Sequence, residues 1–384
     1  MRLLHVITTL DVGGAEMHLL AQVRGQCARG HAVRVCYLKG KGTLAADFCE
    51  AGAELAERVS PVDLWRHARW AELVHSHLLK ADALTAIVAT LAGRRRVLVS
   101  GKHNDEQVLK KPLVSLAHGV LGNLPKRTIV LSDHVGRFVE RHGRVRLERQ
   151  SRVYYGLDPE PFEQAAARLA PGTDARARAR VELGLGTDDV VFLCVARFAP
   201  QKAHDVLLRA FDQARKQDSR VKLLLVGDDP FGDGRKRAEA LADELDLGGA
   251  VSFLGIRRDV PDLMGLSDVF CMASLWEGLG LVFLEAMAAR LPVLATKVSA
   301  VPEVVVDGKT GVLVAPADPE DMARGVLALA GDPARRQAFG EAGHARVLER
   351  FGLDRMVDET LAIYADVRAG RTPGASSDRA ATGR

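Results

Sequence analysis

The stretch SDVFCMASLWEGLGLVFLEAMAA, residues 267–289, decides the fold. It opens on a short aliphatic and aromatic run to residue 272, crosses a loop at 274–280, and continues from about Leu281 with an apolar helical pattern. A buried strand, a glycine-bearing loop and a helix make one βα step of a parallel sheet. Glu277 lies on the loop before the helix and Glu285 in the first turn or so of it, with Gly278, Leu279, Gly280 and Leu281 between them. Glycines there let a helix start lie against phosphate oxygens, where its amides and dipole favour an anion. Carboxylates on either side can then hold hydroxyl-bearing groups flanking a diphosphate. A capped helix with incidental acids would account for the glutamates but leaves Gly278 and Gly280 together without a purpose.

The same step repeats outward in both directions. Strand-like runs at 2–8, 32–38, 72–76, 96–100 and 127–131 alternate with Ala/Leu-rich helical stretches, and the alternation resumes at 190–196, 221–227, 251–254, 268–272, 292–295 and 312–314. Between them the prolines and Ala/Arg-rich run of residues 154–180 read as an interdomain linker near 156–180. A chain of 384 residues is about right for two domains. The expectation is therefore an α/β protein of two doubly wound parallel-sheet domains, at 1–165 and 181–352, with a ligand in the cleft between their carboxyl edges. A last helix at 353–367 is expected to pack back on the first domain, and the Gly/Ser/Arg-rich tail 370–384 to be disordered.

Composition excludes several classes. No apolar run reaches the roughly 18 residues of a membrane span, and MRLLHVITTL lacks a small-residue cleavage site, so it reads as a first strand in a cytoplasmic protein. Five scattered cysteines without CxxC spacing argue against a zinc site or a disulfide framework. The net charge of +4 hides an asymmetry: residues 1–160 carry 24 Lys+Arg against 16 Asp+Glu, a balance of +8, and the remainder 29 against 33, a balance of −4. The basic half suits a phosphorylated substrate or an anionic lipid surface. Nucleic acid is disfavoured, because aromatic residues are only 5% of the chain and do not interleave with the basic ones.

Other loops at strand ends carry candidate chemistry. VVFLCVARFAPQKAHDVLLRAF, residues 190–211, delivers Arg197 at the end of a strand and Lys202 just before a helix, a fork and a point charge suited to a diphosphate. TTLDVGGAEMHLL, residues 8–20, places Gly13 and Gly14 at a helix start. A nicotinamide reading of that loop is disfavoured because Lys39 stands where the second strand should end in an acid. VKLLLVGDDP ends its strand at Gly227 and Asp228, and LGIRRDVPDLM presents the backbone of Ile256 and Arg257, suited to a nucleobase edge, before a helix capped by Asp259.

Together, the Glu277 and Glu285 pair, VARFAPQKAHDVLLRAF, GLDPEPF, LGIRRDVPDLM and the early GGAE resemble the family-4 retaining glycosyltransferases of the GT-B fold, over about residues 2–365. The resemblance implies a glycosyltransferase of the hexosyl type that moves sugar from a UDP- or GDP-linked donor. The acceptor it implies is a lipid-linked glycan or a polysaccharide or lipopolysaccharide precursor. It implies that Arg197 and Lys202 neutralise the leaving diphosphate without a metal, that Glu285 binds the ribose and Glu277 the transferred sugar, and that Gly14 reaches the phosphates. His103, in VLVSGKHNDE, would contact the donor sugar, with Asn104 and Asp105 beside it. Two positions depart from the family pattern: Tyr155 precedes Gly156 where asparagine is common, and Ala203 follows Lys202 where glycine is common.

The motifs contain no obvious carboxylate nucleophile of the kind retaining hydrolysis uses, so same-face attack is expected, with the departing diphosphate oxygen taking the acceptor's proton. The basic amphipathic stretch 108–122 is expected to rest on an anionic membrane and admit the acceptor. A sugar-nucleotide epimerase and a non-catalytic sugar-nucleotide sensor are the rival readings.

Overall fold

The computed structural model describes residues 1–229 and 232–371, so nearly all of the tail expected to be disordered lies outside the described residues. It divides into two compact units, Met1–Gly156 with the chain from Leu353 onward, and Leu157–Gly352.

The first unit is a seven-stranded, wholly parallel sheet formed by β1 (Arg2–Ile7), β2 (Ala32–Tyr37), β3 (Glu54–Ala56), β4 (Leu73–His77), β5 (Leu98–Lys102), β6 (Arg127–Val130) and β7 (Gln150–Arg152), in the order β3-β2-β1-β4-β5-β6-β7. The edge strands β3 and β7, three residues each, fall outside the runs read from the sequence, because so short a strand carries no period-two signal. Helix Gly14–Ala28 covers one face, and helix Leu353–Arg368 packs on it through Met356, Val357, Tyr364 and Val367. A side chain at Gly25 would meet Val357 at 2.5 Å, so the two helices touch where only glycine fits. Arg29 ties the contact at its rim through Asp354 and Asp358, at 2.8 and 2.9 Å.

The second unit is a six-stranded parallel sheet of β8 (Val190–Val195), β9 (Val221–Val226), β10 (Val251–Gly255), β11 (Val269–Met272), β12 (Val293–Thr296) and β13 (Gly311–Val314), ordered β10-β9-β8-β11-β12-β13. This is the doubly wound order, whose direction reverses between β8 and β11. The loops after those two strands therefore open into the crevice where such sheets bind ligands, and they are the Arg197–Lys202 loop and the Glu277 loop.

The segment read as a linker is not one. The chain passes from the first unit to the second at Gly156–Leu157 rather than at 165, and the following residues form helices Glu160–Arg168 and Asp174–Glu182 within the second unit. The run DARARAR looks solvated as sequence, yet Arg176 and Arg180, four apart, share one buried helix face. Each guanidinium reaches Asp268 at 2.7 Å and also donates to backbone carbonyls. Asp268 also accepts from the Val191 amide, so the segment locks the start of β11 to β8.

Candidate active site

In the second unit the two loops flanking the reversal are clasped together. Lys202 ends a 3₁₀ turn, Pro200–Lys202, and its ammonium forms an ion pair with Glu277, whose carboxylate also accepts from Ser274 Oγ at 2.7 Å. Glu277 is 5% exposed, and a carboxylate so buried is costly without the partners that both of these contacts supply. The backbone completes the clasp. Gln201 Nε2 donates to the Trp276 carbonyl at 2.6 Å, the Leu275 amide donates to the Gln201 carbonyl at 2.8 Å, and Thr296 Oγ1 holds the Ser274 carbonyl. The sequence pointed to Lys202 and Glu277 but not to Gln201, Ser274 or Thr296, because residues 75 apart acquire a shared bond only through the adjacency of β8 and β11.

Ala203 has a φ of 46°, in the left-handed region. Glycine after the lysine would be unstrained there, so alanine costs on the order of 1 kcal/mol and the loop geometry is kept all the same. Arg197 at the end of β8 is exposed, and its guanidinium has no ion-pair or hydrogen-bond partner among the described residues. The site thus holds one cation already neutralised and one free.

Helix Leu281–Ala288 begins after Gly280, which takes φ 80° and presents no side chain to cap the first amides. Gly278 and Leu279 are buried beneath it and Leu281 is half-buried. Glu285 lies one turn deeper than the sequence suggested: the first turn contains no acid, so the helix dipole is not what favours it. It is half-buried, no hydrogen bond reaches its carboxyl among the described residues, and desolvation raises its pKa to about 7. A carboxyl left this way is an acceptor awaiting donors.

The remaining second-unit candidates divide. Gly227 is explained by packing, since a Cβ would fall 2.0 Å from the Ala196 carbonyl, next to Arg197. Ile256 is 72% exposed. The Arg257 side chain is held by Asp259 at 2.7 and 2.5 Å, so Asp259 pairs with arginine instead of capping its helix.

The first unit contains Gly13, Gly14 and His103. Gly13 is in extended backbone at the start of helix Gly14–Ala28, and a Cβ there would meet Glu16 at 2.6 Å; the space above Gly14 is open. His103 is held at both ring nitrogens, Nε2 to His77 Nδ1 at 3.0 Å and Nδ1 to the Tyr155 hydroxyl at 2.9 Å. Burial, then Lys102, lowers its pKa to about 3, so the ring is neutral. The departure at Tyr155 gains a meaning here, because its hydroxyl orients His103 and its ring stacks on His18 with centroids 4.1 Å apart. Asn104 is exposed, and Asp105 pairs with His134 at 2.8 Å.

Comparison with known proteins agrees over both units. Residues 175–346 match Glycosyl transferases group 1 and residues 12–161 match Glycosyltransferase Family 4. A GDP-mannose-dependent alpha-(1-6)-phosphatidylinositol monomannoside mannosyltransferase from Mycolicibacterium smegmatis is 31% identical over 88% of this chain and 91% of its own. A D-inositol 3-phosphate glycosyltransferase from Streptomyces bingchenggensis is 33% identical over 78% of this chain and 67% of its own. The crystal structure of Anabaena HepE in complex with UDP superposes with a TM-score of 0.83 at 22% identity, over 95% of this chain and all of that one, a likeness of fold. With two Rossmann-like units, the clasped β8 and β11 loops and matches along both halves, the chain belongs to glycosyltransferase family 4 and has the GT-B fold.

Proposed function

We propose that the protein transfers a sugar, with retention, from a nucleoside-diphosphate sugar to a lipid-linked glycan or cell-surface polysaccharide precursor, and that it needs no metal ion for the chemistry. The observation that carries the reading is the free Arg197 on the same loop as Lys202, whose ion pair with Glu277 stands at the approach to an uncapped helix start. A departing diphosphate develops negative charge, and a guanidinium, an ammonium and open amides stabilise it where a metal would otherwise be required. Glu285 accepts from the ribose hydroxyls. The bond from the anomeric carbon to the phosphate oxygen breaks, the acceptor oxygen bonds to the same face, and its proton passes to the leaving phosphate oxygen. His103, held by Tyr155 and His77, presents a neutral ring to the donor sugar, and Gly14 leaves room for the phosphates. The names of the relatives, one GDP-mannose-dependent with a phosphatidylinositol monomannoside acceptor, support an activated-sugar donor and a lipid-borne acceptor.

A panel of UDP- and GDP-sugars with extracted polyprenyl- and inositol-linked acceptors, scored by mass spectrometry and by NMR of the product anomer, tests the proposal. Retained configuration and a rate unchanged by added Mg²⁺ are expected. An inverted product, or turnover that requires Mg²⁺, overturns the mechanism. Product from donor alone would identify an epimerase, and nucleotide binding without transfer a sensor.

The acceptor side rests on residues 108–122. They form a 3₁₀ turn, Gln107–Lys110, and helix Pro112–Leu121. Leu109 is buried, and Val114 and Leu121 line a pocket of about 130 Å³. Leu113, Leu116 and Val120, at 83, 55 and 65% exposure, form an outward stripe beside the exposed Lys110 and Lys111. No described helix is long and apolar enough to cross a membrane, so the proposal is peripheral attachment to an inner membrane face through this stripe. Replacing Leu113 and Leu116 by serine should weaken sedimentation with phosphatidylglycerol vesicles roughly tenfold or more, with thermal stability unchanged. Equal sedimentation of both forms removes the attachment.

A further inference from the structure

The first unit contains a histidine cluster that the motifs did not single out. His5 is on β1 and His75 and His77 on β4; the strands are parallel neighbours with His5 opposite His75 and Ile7 opposite His77. Period-two alternation puts His75 and His77 on one face, and the register puts His5 on the same face beside them. All three are at most 2% exposed, and one nitrogen from each lies within 4.8 Å of the others.

We propose that His5, His75 and His77 bind one divalent cation of the zinc class, a structural ion seated behind His103 and separate from the transfer chemistry. Two observations carry this. The first is that a second nitrogen of each ring is held from outside: His5 Nε2 by Gln26 Oε1 at 2.9 Å, His75 Nδ1 by the Tyr364 hydroxyl at 2.6 Å, and His77 Nδ1 by His103 Nε2 at 3.0 Å. Metal-ligating histidines are characteristically oriented in this way by a partner on the far nitrogen. The second is that His75 Nε2 is buried with no hydrogen-bond partner, a deficit that native interiors seldom leave.

The competing arrangement is a chain of imidazole hydrogen bonds, in which His5 Nδ1 and His77 Nε2, 2.9 Å apart, share a proton. An ion with Zn–N bonds of about 2.1 Å would spread such nitrogens to roughly 3.4 Å, a sub-ångström adjustment. Three neutral imidazoles suit Zn²⁺ and, in its place, Co²⁺, Ni²⁺ or Cu²⁺. The ion would tie β1 to β4.

The test uses the full chain without a histidine tag, stripped with a chelator and titrated with Co²⁺. Visible d–d bands saturating at one equivalent and bleached by one equivalent of Zn²⁺ are expected, with X-ray absorption of the zinc form showing at least two imidazole nitrogens at about 2.0–2.1 Å. His75→Gln and His5→Gln should each weaken zinc retention tenfold or more, whereas His31→Gln and His67→Gln should not. Absence of a stoichiometric ion, or retention unchanged in His75→Gln, overturns the site. Should His75→Gln fail to fold, the absorption spectrum of the unaltered chain decides alone: a zinc shell with fewer than two imidazoles refutes it.

Discussion

Lys202→Ala is expected to lower kcat/KM by about a hundredfold or more, the loss seen when one preorganised charge is removed from a developing anion. The ion pair sharpens this expectation. The ammonium is already paired with Glu277, and the carboxylate is buried on Lys202 and Ser274, so under the proposed function the pair is a preset geometry for the diphosphate. Glu277→Gln should therefore separate binding from turnover: nucleoside diphosphate binds as tightly as before or more tightly, because Lys202 is released, while kcat falls by about the same hundredfold. Removing both groups should cost less than the sum of the single losses, since residues in one ion pair couple. Near wild-type turnover in Lys202→Ala removes it from the mechanism. A Glu277→Gln enzyme that loses affinity and not kcat makes Glu277 a binding group only.

Glu285→Gln should stabilise the protein at pH 8 while impairing it. The folded-state pKa of Glu285, about 7, stands above its ordinary 4.5 because burial disfavours the charged form. Between these values the folded chain binds more protons than the unfolded one, so stability falls as pH rises from about 4.5 through about 7 and is level beyond, by at most about 3 kcal/mol. The glutamine variant avoids that loss, and its melting temperature should exceed the wild type's at pH 8 but not at pH 5. Donor binding runs the other way. Ribose hydroxyls favour the carboxylate, so binding expels a proton and nucleotide affinity should rise with pH up to about 7. The variant should bind roughly ten- to a hundredfold more weakly at pH 8, with no pH dependence from this group. Calorimetry in buffers of different ionisation enthalpy checks the proton release. A variant that binds nucleotide as the wild type does, or that melts lower at pH 8, removes Glu285 from the ribose role.

The setting of Glu285 could not be read from its position in the chain. The spacing from Glu277 to Glu285 was visible, but it suggested an acid favoured by a helix start. The structure instead shows a carboxyl one turn further in, without a hydrogen-bond partner among the described residues. A similar limit applies to DARARAR. Charge density suggests a solvated linker, and only the position of Asp268 at the foot of β11 makes two of its arginines interior.

What the sequence determined by itself is the local layer. Buried strands of four to six residues bounded by glycine and helical runs set nearly all the strands of both sheets, and strand-end loops nominated Arg197, Lys202, Glu277, Glu285 and His103. Periodicity and turn chemistry act over a few residues and survive in the order of letters. What only the tertiary structure decided is pairing: Lys202 on Glu277, Tyr155 on His103, Tyr364 on His75, and three histidines from two strands on one sheet face. Those contacts join residues from 52 to 289 positions apart, and strand order and register, which place them side by side, are settled by packing across the whole domain.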